Sequence, residues 1–295
     1  MMEPEEMAAA LEATGNFKVL RRIAPRDHIY PPDGSGSRRA LYVDTETTGL
    51  SPSKDEIIEL AMVPFNYGPD GRIFEILTPF QSFREPSIAI PAEITRITGI
   101  DQSMVAGHRI DLSQVEEMVA EADLIIAHNA GFDRRFLERL SQSFITKPWG
   151  CSATQVDWRA EGFEGSRLGY LVSMAGYFYD RHRALNDCYA AVELLSKPTP
   201  KSGKIALEIL LANARSVTMR LWATHAPFDL KDNLKQRGYR WNNGEYGTQK
   251  AWYIDVPIEK KDDEVSYLQT EIFGWEAPIH ATRIDAYDRF SDRAV

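Results

Sequence analysis

Cysteine is scarce: Cys151 and Cys188 are the only two in 295 residues. Two thiols are too few for a disulfide framework or a thiolate zinc site, and their scarcity agrees with a reducing compartment. Long apolar runs are missing as well. No stretch approaches the roughly 20 residues that a membrane-spanning helix needs, so no membrane partner is expected. The opening MMEPEEMAAALEATG is acidic and has no basic segment ahead of an apolar core, which gives no secretory signal and leaves the cytoplasm as the expected location. Positive charge is also in deficit, with 34 Lys and Arg against 43 Asp and Glu and a net charge of −9. That excludes a surface coated in basic groups for duplex binding, though not an enzyme that works on one strand end. What is present is ordinary for a globular chain, with 43% hydrophobic and 26% charged residues and length for one moderate domain plus a smaller one. The charge deficit is uneven: residues 200–295 hold 14 basic and 14 acidic side chains, leaving 20 against 29 before them. The excess acid therefore falls where metal-holding carboxylates would also lie.

Two joints rich in Pro, Gly and Ser divide the sequence. PRDHIYPPDGSGSRR reads as a linker that follows a short helix over 4–12 and a short strand in FKVLRRI, and KPTPKSG at 197–203 reads as a second joint. The division predicts an N-terminal extension and linker over 1–37, a main domain over 38–198 and a small α+β accessory domain over 199–295. In the main domain LYVDTETT is a strand, and EIIELAMVPF and IFEILTPF flank YGPDGR as an antiparallel hairpin. PSIAIPAEITRITGI reads as loop with one helical turn, DLSQVEEMVAEA as a capped helix and DLIIAHN as a short buried strand. AGFDRRFLERLSQSF is helical, with Phe132, Phe136, Leu137 and Leu140 on one apolar face. CSATQVDW is predicted as a strand, SRLGYLVSMAG as a helix capped by Ser166, and ALNDCYAAVELL as another helix. Strands followed by alternating helices and strands give a mixed α/β sheet with helices on both faces. After the second joint come a helix in IALEILLANA, a strand in VTMRLWA, a helix closed by Gly238, a hairpin around Asn243-Gly244 and a last helix over 259–273.

Three stretches carry chemistry. In LYVDTETTGL, strand alternation puts Asp44 and Glu46 on one side with Thr45 opposite. Two carboxylates on one patch repel unless something positive lies between them, and hard divalent cations take oxygen ligands in that way. Alone, a D-x-E reads as a solvated strand end, so the case rests on partners elsewhere in the chain. In AHNAGFD, Asp133 stands in the first turn of its helix, where the helix dipole favours a carboxylate. In RHRALNDCYAAVELL, His182 and Asp187 would diverge by about 140° on one continuous helix. If the helix begins near Arg183 or Ala184, His182 sits instead on the preceding loop, a mobile base beside a fixed acid.

Taken in order, DTETTGL, HNAGFDRRFL and HRALNDCYAA resemble the motifs of the DEDDh 3′-5′ exonucleases, the family of the bacterial DNA polymerase III epsilon-type proofreading subunit. The resemblance spans about residues 38–198. It implies a ribonuclease H-like fold and maps Asp44, Glu46, Asp133 and Asp187 onto the metal-site acids, with His182 as general base. It implies two Mg²⁺ or Mn²⁺ ions and release of nucleoside 5′-monophosphates. It also implies that Thr47, and Leu50 as a wedge, receive the 3′ end together with His128 and Asn129. The implied partners are single-stranded DNA or RNA 3′ ends, a DNA polymerase or other replication and repair proteins, and a second copy of the chain in a homodimer. The extension before the first motif is additional, since family members usually begin near it.

In the last third, Tyr239, Trp241, Tyr246, Trp252 and Tyr253 lie among Lys231, Lys235, Arg237, Arg240 and Lys250. Interleaved aromatic and basic side chains suit single-strand binding, and large side chains equally fill the core of a small domain. The expected activity is a metal-dependent 3′-5′ exonuclease on single-stranded or frayed ends, DNA favoured. The alternatives are an RNA-trimming, oligoribonuclease-like enzyme on the same site, or a nucleic-acid-binding protein that keeps the fold without catalysis.

Overall fold

The computed structural model describes residues 2–244 and 249–294 and divides into two compact units, Met1–Leu211 and Ala212–Val295. The first begins with α1 (Pro4–Ala13) and β1 (Arg21–Arg22), followed by β2 (Arg38–Thr47), β3 (Ile57–Tyr67), β4 (Ile73–Ile76) and β5 (Phe80–Phe83). Then come α2 (Ala92–Thr98), α3 (Gln102–Val105), α4 (Leu112–Glu121), β6 (Leu124–Ala127), α5 (Ala130–Leu140) and β7 (Trp149–Cys151). The unit closes with α6 (Leu168–Met174), β8 (Tyr177–Phe178), α7 (Ala184–Leu195) and the start of α8 (Ala206–Arg215).

Near-continuous apolar runs make β2 and β3 the middle of the sheet, because a strand covered on both faces has no polar side to show. Leu41, Val43, Ile58, Leu60, Ala61, Met62, Val63 and Phe65 are fully buried. The strand order is β4-β3-β2-β6-β7, with β5 also pairing β3. β3 runs antiparallel to β2, β4 and β5, while β2, β6 and β7 are parallel. This is the expected mixed sheet; α5 packs on β2, β6 and β7, and α7 on β2 and β3. Pairing of β6 stops at Ala40–Tyr42 of β2, which leaves the acidic end of β2 open on that side for the start of α5.

Three local expectations change. CSATQVDW is a strand only at its first residue; beyond it the chain turns, since Cys151 N donates to Gln155 Oε1, Gln155 N to Cys151 O and the Trp158 indole to Ser152 O. Arg167, not Ser166, stands at the N-cap of α6, and the Ser166 carbonyl is taken by His128. PRDHIYPPDGSGSRR is not a free linker: Ile29 N and Tyr30 N donate to Phe74 O and Ile73 O, and Ile76 N to Asp27 O. An edge strand exposes unpaired backbone groups, and this segment covers the edge of β4.

The division between units falls inside α8, beyond the 197–203 joint, because Leu207, Leu210 and Leu211 are buried and Leu210 packs over Gly150. The second unit contains β9 (Thr218–Ala223), α9 (Lys231–Arg237), β10 (Arg240–Asn242), β11 (Ala251–Pro257), α10 (Lys261–Tyr267) and β12 (His280–Ile284). Its antiparallel sheet has the order β10-β11-β9-β12 over a core of Leu221, Leu234, Tyr239, Val256, Leu268 and Ile272. Gly238 ends α9 with a φ of 99°, in the left-handed region that glycine adopts without strain. The expected hairpin joins β10 to β11; residues 245–248 of its turn, Tyr246 among them, lie outside the described residues. Among the described residues, no helix is long and apolar enough to cross a membrane.

Candidate active site

The acids of β2 meet the start of α7. Carboxylate oxygens of Asp44, Glu46 and Asp187 all lie within 4.8 Å of one another. Strand alternation aims the first two together, and α7 brings the third because its N-cap is Arg183. His182 therefore lies before the helix, exposed, with a φ of 61°. Asp187 is held at both oxygens: Tyr179 Oη donates to Oδ1 at 2.8 Å and Arg183 N to Oδ2 at 3.2 Å. Asp133 is not one of these three; it lies at the open edge of β2, where Thr45 N and Thr45 Oγ1 donate to its Oδ1 at 3.0 and 2.8 Å, and its charge acts on Asp44.

Burial and crowding set the electrostatics. Burial, then the charges of Asp133, Asp187 and Glu46, pushes Asp44 well above the usual carboxylate range. Glu46 rises to about 8, through burial first and Asp187 second. Asp133 rises to about 7 by burial, against the opposing hydrogen bonds from Thr45. Asp187 is raised by burial and eased by Tyr179 and His182. Asp44 and Glu46 make no side-chain hydrogen bond to a described residue. Hard oxygen donors that converge, two of them without a side-chain hydrogen bond, fit a divalent cation, whose charge would relieve the repulsion.

A family model described as exonuclease, RNase_T, matches residues 41–195. The chain belongs to the RNase_T exonuclease family. The DEDDh resemblance and the ribonuclease H-like fold read from the sequence are borne out. Similar curated proteins include the PolC-type DNA polymerase III of Caldanaerobacter subterraneus subsp. tengcongensis, 29% identical over 178 residues, 57% of this chain and 12% of the relative. The PolC-type enzyme of Thermotoga petrophila is 30% identical over 182 residues, with the same coverage of 57% and 12%. This chain thus spans only 12% of the length of those two relatives. Among solved structures, exonuclease I shares the fold with a TM-score of 0.51 and 14% identity, over 84% of this chain and 63% of that one. Exonuclease X in complex with 5′ overhanging duplex DNA is 26% identical, with a TM-score of 0.44, over 59% of this chain and 99% of that one.

Around the acids of this RNase_T domain, the residues expected to meet substrate divide in two. Leu50 is 84% exposed, and Asn129, at the N-cap of α5, is exposed without a side-chain cap bond. Thr47 and His128 are turned inward instead. Thr47 is buried and donates through Oγ1 to Gly49 O at 2.6 Å. Both His128 nitrogens are engaged, Nδ1 with Ser152 Oγ at 2.9 Å and Nε2 with Ser166 O at 2.6 Å, and burial lowers its pKa. Phe136 is core, its ring centroid 5.0 Å from that of Phe132.

Two residues that frame the acid cluster escape a motif reading. Glu59, fully buried and paired across the sheet with Glu46, accepts from Arg183 Nη2 at 3.1 Å, Ala184 N at 3.0 Å and Gln81 Nε2 at 2.6 Å. It ties the start of α7 to the sheet. Its only sequence signal is a lone acid in an otherwise apolar strand. Asp55 organises the turn after the D-x-E, accepting from Ser51 N at 2.8 Å and Thr48 Oγ1 at 3.3 Å. Any Cβ at position 49 would lie 2.6 Å from its carboxylate, which explains the glycine in DTETTGL.

Proposed function

We propose that this protein is a metal-dependent 3′-5′ exonuclease that removes nucleoside 5′-monophosphates from single-stranded or frayed ends, DNA in preference to RNA. The observation that carries the reading is the meeting of Asp44, Glu46 and Asp187 within 4.8 Å, with Asp133 beside them and His182 free at the rim. Asp44, Glu46, Asp133 and Asp187 would hold a pair of Mg²⁺ or Mn²⁺ ions. Bound there, such ions stabilise the attacking and leaving oxygens of an in-line phosphoryl displacement.

The side chains supply the rest. His182 accepts the proton of the attacking water on a ring nitrogen, and its place on the loop before α7 gives it access to that water. Thr45 and Tyr179 keep Asp133 and Asp187 aimed inward. Leu50 presents an uncovered apolar side chain to the terminal base, on a turn fixed by Thr47, Gly49 and Asp55. Asn129 offers an exposed amide to the strand, and His128 acts indirectly by holding the chain at Ser152 and Ser166. The DNA preference, and a working association with a replicative polymerase, are supported by the PolC-type relatives.

The test is a time course on matched 5′-labelled single-stranded DNA and RNA, with Mg²⁺, Mn²⁺ or EDTA, for the wild type and Asp44→Asn. A ladder shortening from the 3′ end, faster on DNA and lost with EDTA or in the variant, is expected. Binding without shortening would move the protein to the non-catalytic class. Faster loss of RNA would overturn the DNA preference.

A further inference from the structure

The segment ahead of the first motif lies outside the matched region, yet it is tied along its length to the elements that carry His182 and Asp187. Lys18 Nζ donates to Met174 O at 3.3 Å. Arg21 N donates to Gly176 O at 2.9 Å and Ile23 N to Phe178 O at 3.0 Å, so that β1 runs parallel to β8 with Arg21 opposite Tyr177 and Arg22 opposite Phe178. Arg22 pairs with Asp180 at 2.8 Å, and its guanidinium lies 4.8 Å from the centroid of the Phe178 ring. Further on, Arg26 pairs with Glu193 at 2.6 Å, and Tyr30 Oη donates to Ser196 O at 3.0 Å, at the far end of α7. Residues 18–30 thus bracket α7, with one end at its approach and the other at its exit.

Tyr179 lies within that bracket. The bond from Ile23 N fixes the Phe178 carbonyl, and with it the peptide plane that leads into Tyr179. The Tyr179 hydroxyl in turn fixes Oδ1 of Asp187. We propose that Tyr179 is a positioning residue for Asp187, and that residues 18–30 form a strap that keeps Tyr179 in place, so that the N-terminal segment belongs to the cation site. The inference rests on the function proposed above, but its main test does not use activity. Partners that orient a ligating carboxylate, without touching the ion, set cation affinity by about 10- to 100-fold.

The experiment measures Mn²⁺ binding to the full chain by electron paramagnetic resonance for wild type, Tyr179→Phe, Ile23→Pro and the double variant. Ile23→Pro removes the N–H that reaches Phe178 and touches no acid. Each single change should weaken Mn²⁺ binding about tenfold, and the double change no further than either one, because both act through the same hydroxyl. On a labelled strand, kcat should fall with KM unchanged. If Ile23→Pro does not fold, Arg22→Ala, which strips the Asp180 pair and the cation over Phe178, replaces it with the same expectation. Unchanged Mn²⁺ affinity in the strap variant, or losses that add as independent, would overturn the inference even if wild type degrades DNA. Weakened Mn²⁺ binding in a protein that degrades nothing would leave the strap standing and remove the proposed activity.

Discussion

His182 holds a backbone conformation that a side chain with a Cβ rarely adopts, at a φ of 61°. The left-handed region costs roughly 1–2 kcal/mol for a non-glycine residue and persists only where the surroundings impose it. Here they do: the next residue is clamped, with Arg183 N on Asp187 and its guanidinium on Glu59. Strain kept at an exposed histidine beside a carboxylate cluster fits a residue retained for chemistry. His182→Ala and His182→Gly should both lower kcat by roughly 10²- to 10⁴-fold. Their stabilities should differ, with the glycine variant the more stable by about 1 kcal/mol because it alone adopts this φ freely. Equal melting temperatures, or near wild-type turnover in either variant, would count against the assignment. Glu59 makes a complementary case. Glu59→Ala leaves the buried Ala184 N–H without its acceptor, and each unsatisfied buried group costs roughly 1–3 kcal/mol. Chemical denaturation should show that loss, and hydrogen exchange at residues 183–187 should rise with it.

At the scale of elements, the second unit combines packing with exposure. Tyr239 and Trp222 are core, while Trp241 is 49% exposed with its ring centroid 5.4 Å from that of Trp252. Lys235 Nζ lies 6.0 Å from the centroid of the Trp252 ring. Trp241→Ala should therefore weaken single-strand binding by roughly 1–3 kcal/mol, the worth of one stacked base, with kcat at saturation unchanged. Fluorescence anisotropy of a labelled oligonucleotide reads the first quantity and a saturating time course the second. A variant that binds as the wild type does would make Trp241 a packing residue. The elements also mark where the sequence could be read. β2, β3, α5 and α7 are legible because apolar periodicity is local, and strand alternation with the start of α7 accounts for the meeting of Asp44, Glu46 and Asp187. The turn after Cys151 is not legible, since an alternating pattern cannot reveal that Gln155 and Trp158 bond back to the chain. The segment over 25–39 escapes a composition reading for a related reason: Pro and Gly announce the absence of helix but not pairing to a strand edge far along the chain. His128 shows the same limit at one side chain, its two nitrogens satisfied by serines 24 and 38 residues away.

For the whole molecule, gathering acids in one place makes stability depend on pH and on cations together. Glu46 moves from 4.5 to about 8 and Asp133 from 3.8 to about 7, so the folded protein without a cation keeps protons that the unfolded chain has already released. Through these two groups stability must then fall as pH rises from about 4 to 8, because unfolding releases protons throughout that interval. Below it the opposite sign takes over at Asp33, held down to about 2 first by its hydrogen bonds from Ser35, and at Asp101, lowered first by Ser103. A divalent cation replaces the retained protons and stabilises the fold by mass action, the more so the fewer protons it must displace. In EDTA the melting temperature of the first unit should thus drop between pH 5 and pH 8, by roughly 2–4 °C for each kcal/mol lost. Mg²⁺ should raise it far more at pH 8 than at pH 5. Glu46→Gln removes one of the charges, so it should melt higher than wild type at pH 8 in EDTA and gain little from Mg²⁺. A wild-type melting temperature that is flat from pH 5 to 8 in EDTA, or a cation effect equal at both ends, would mean that the carboxylates are not pressed together as the geometry requires.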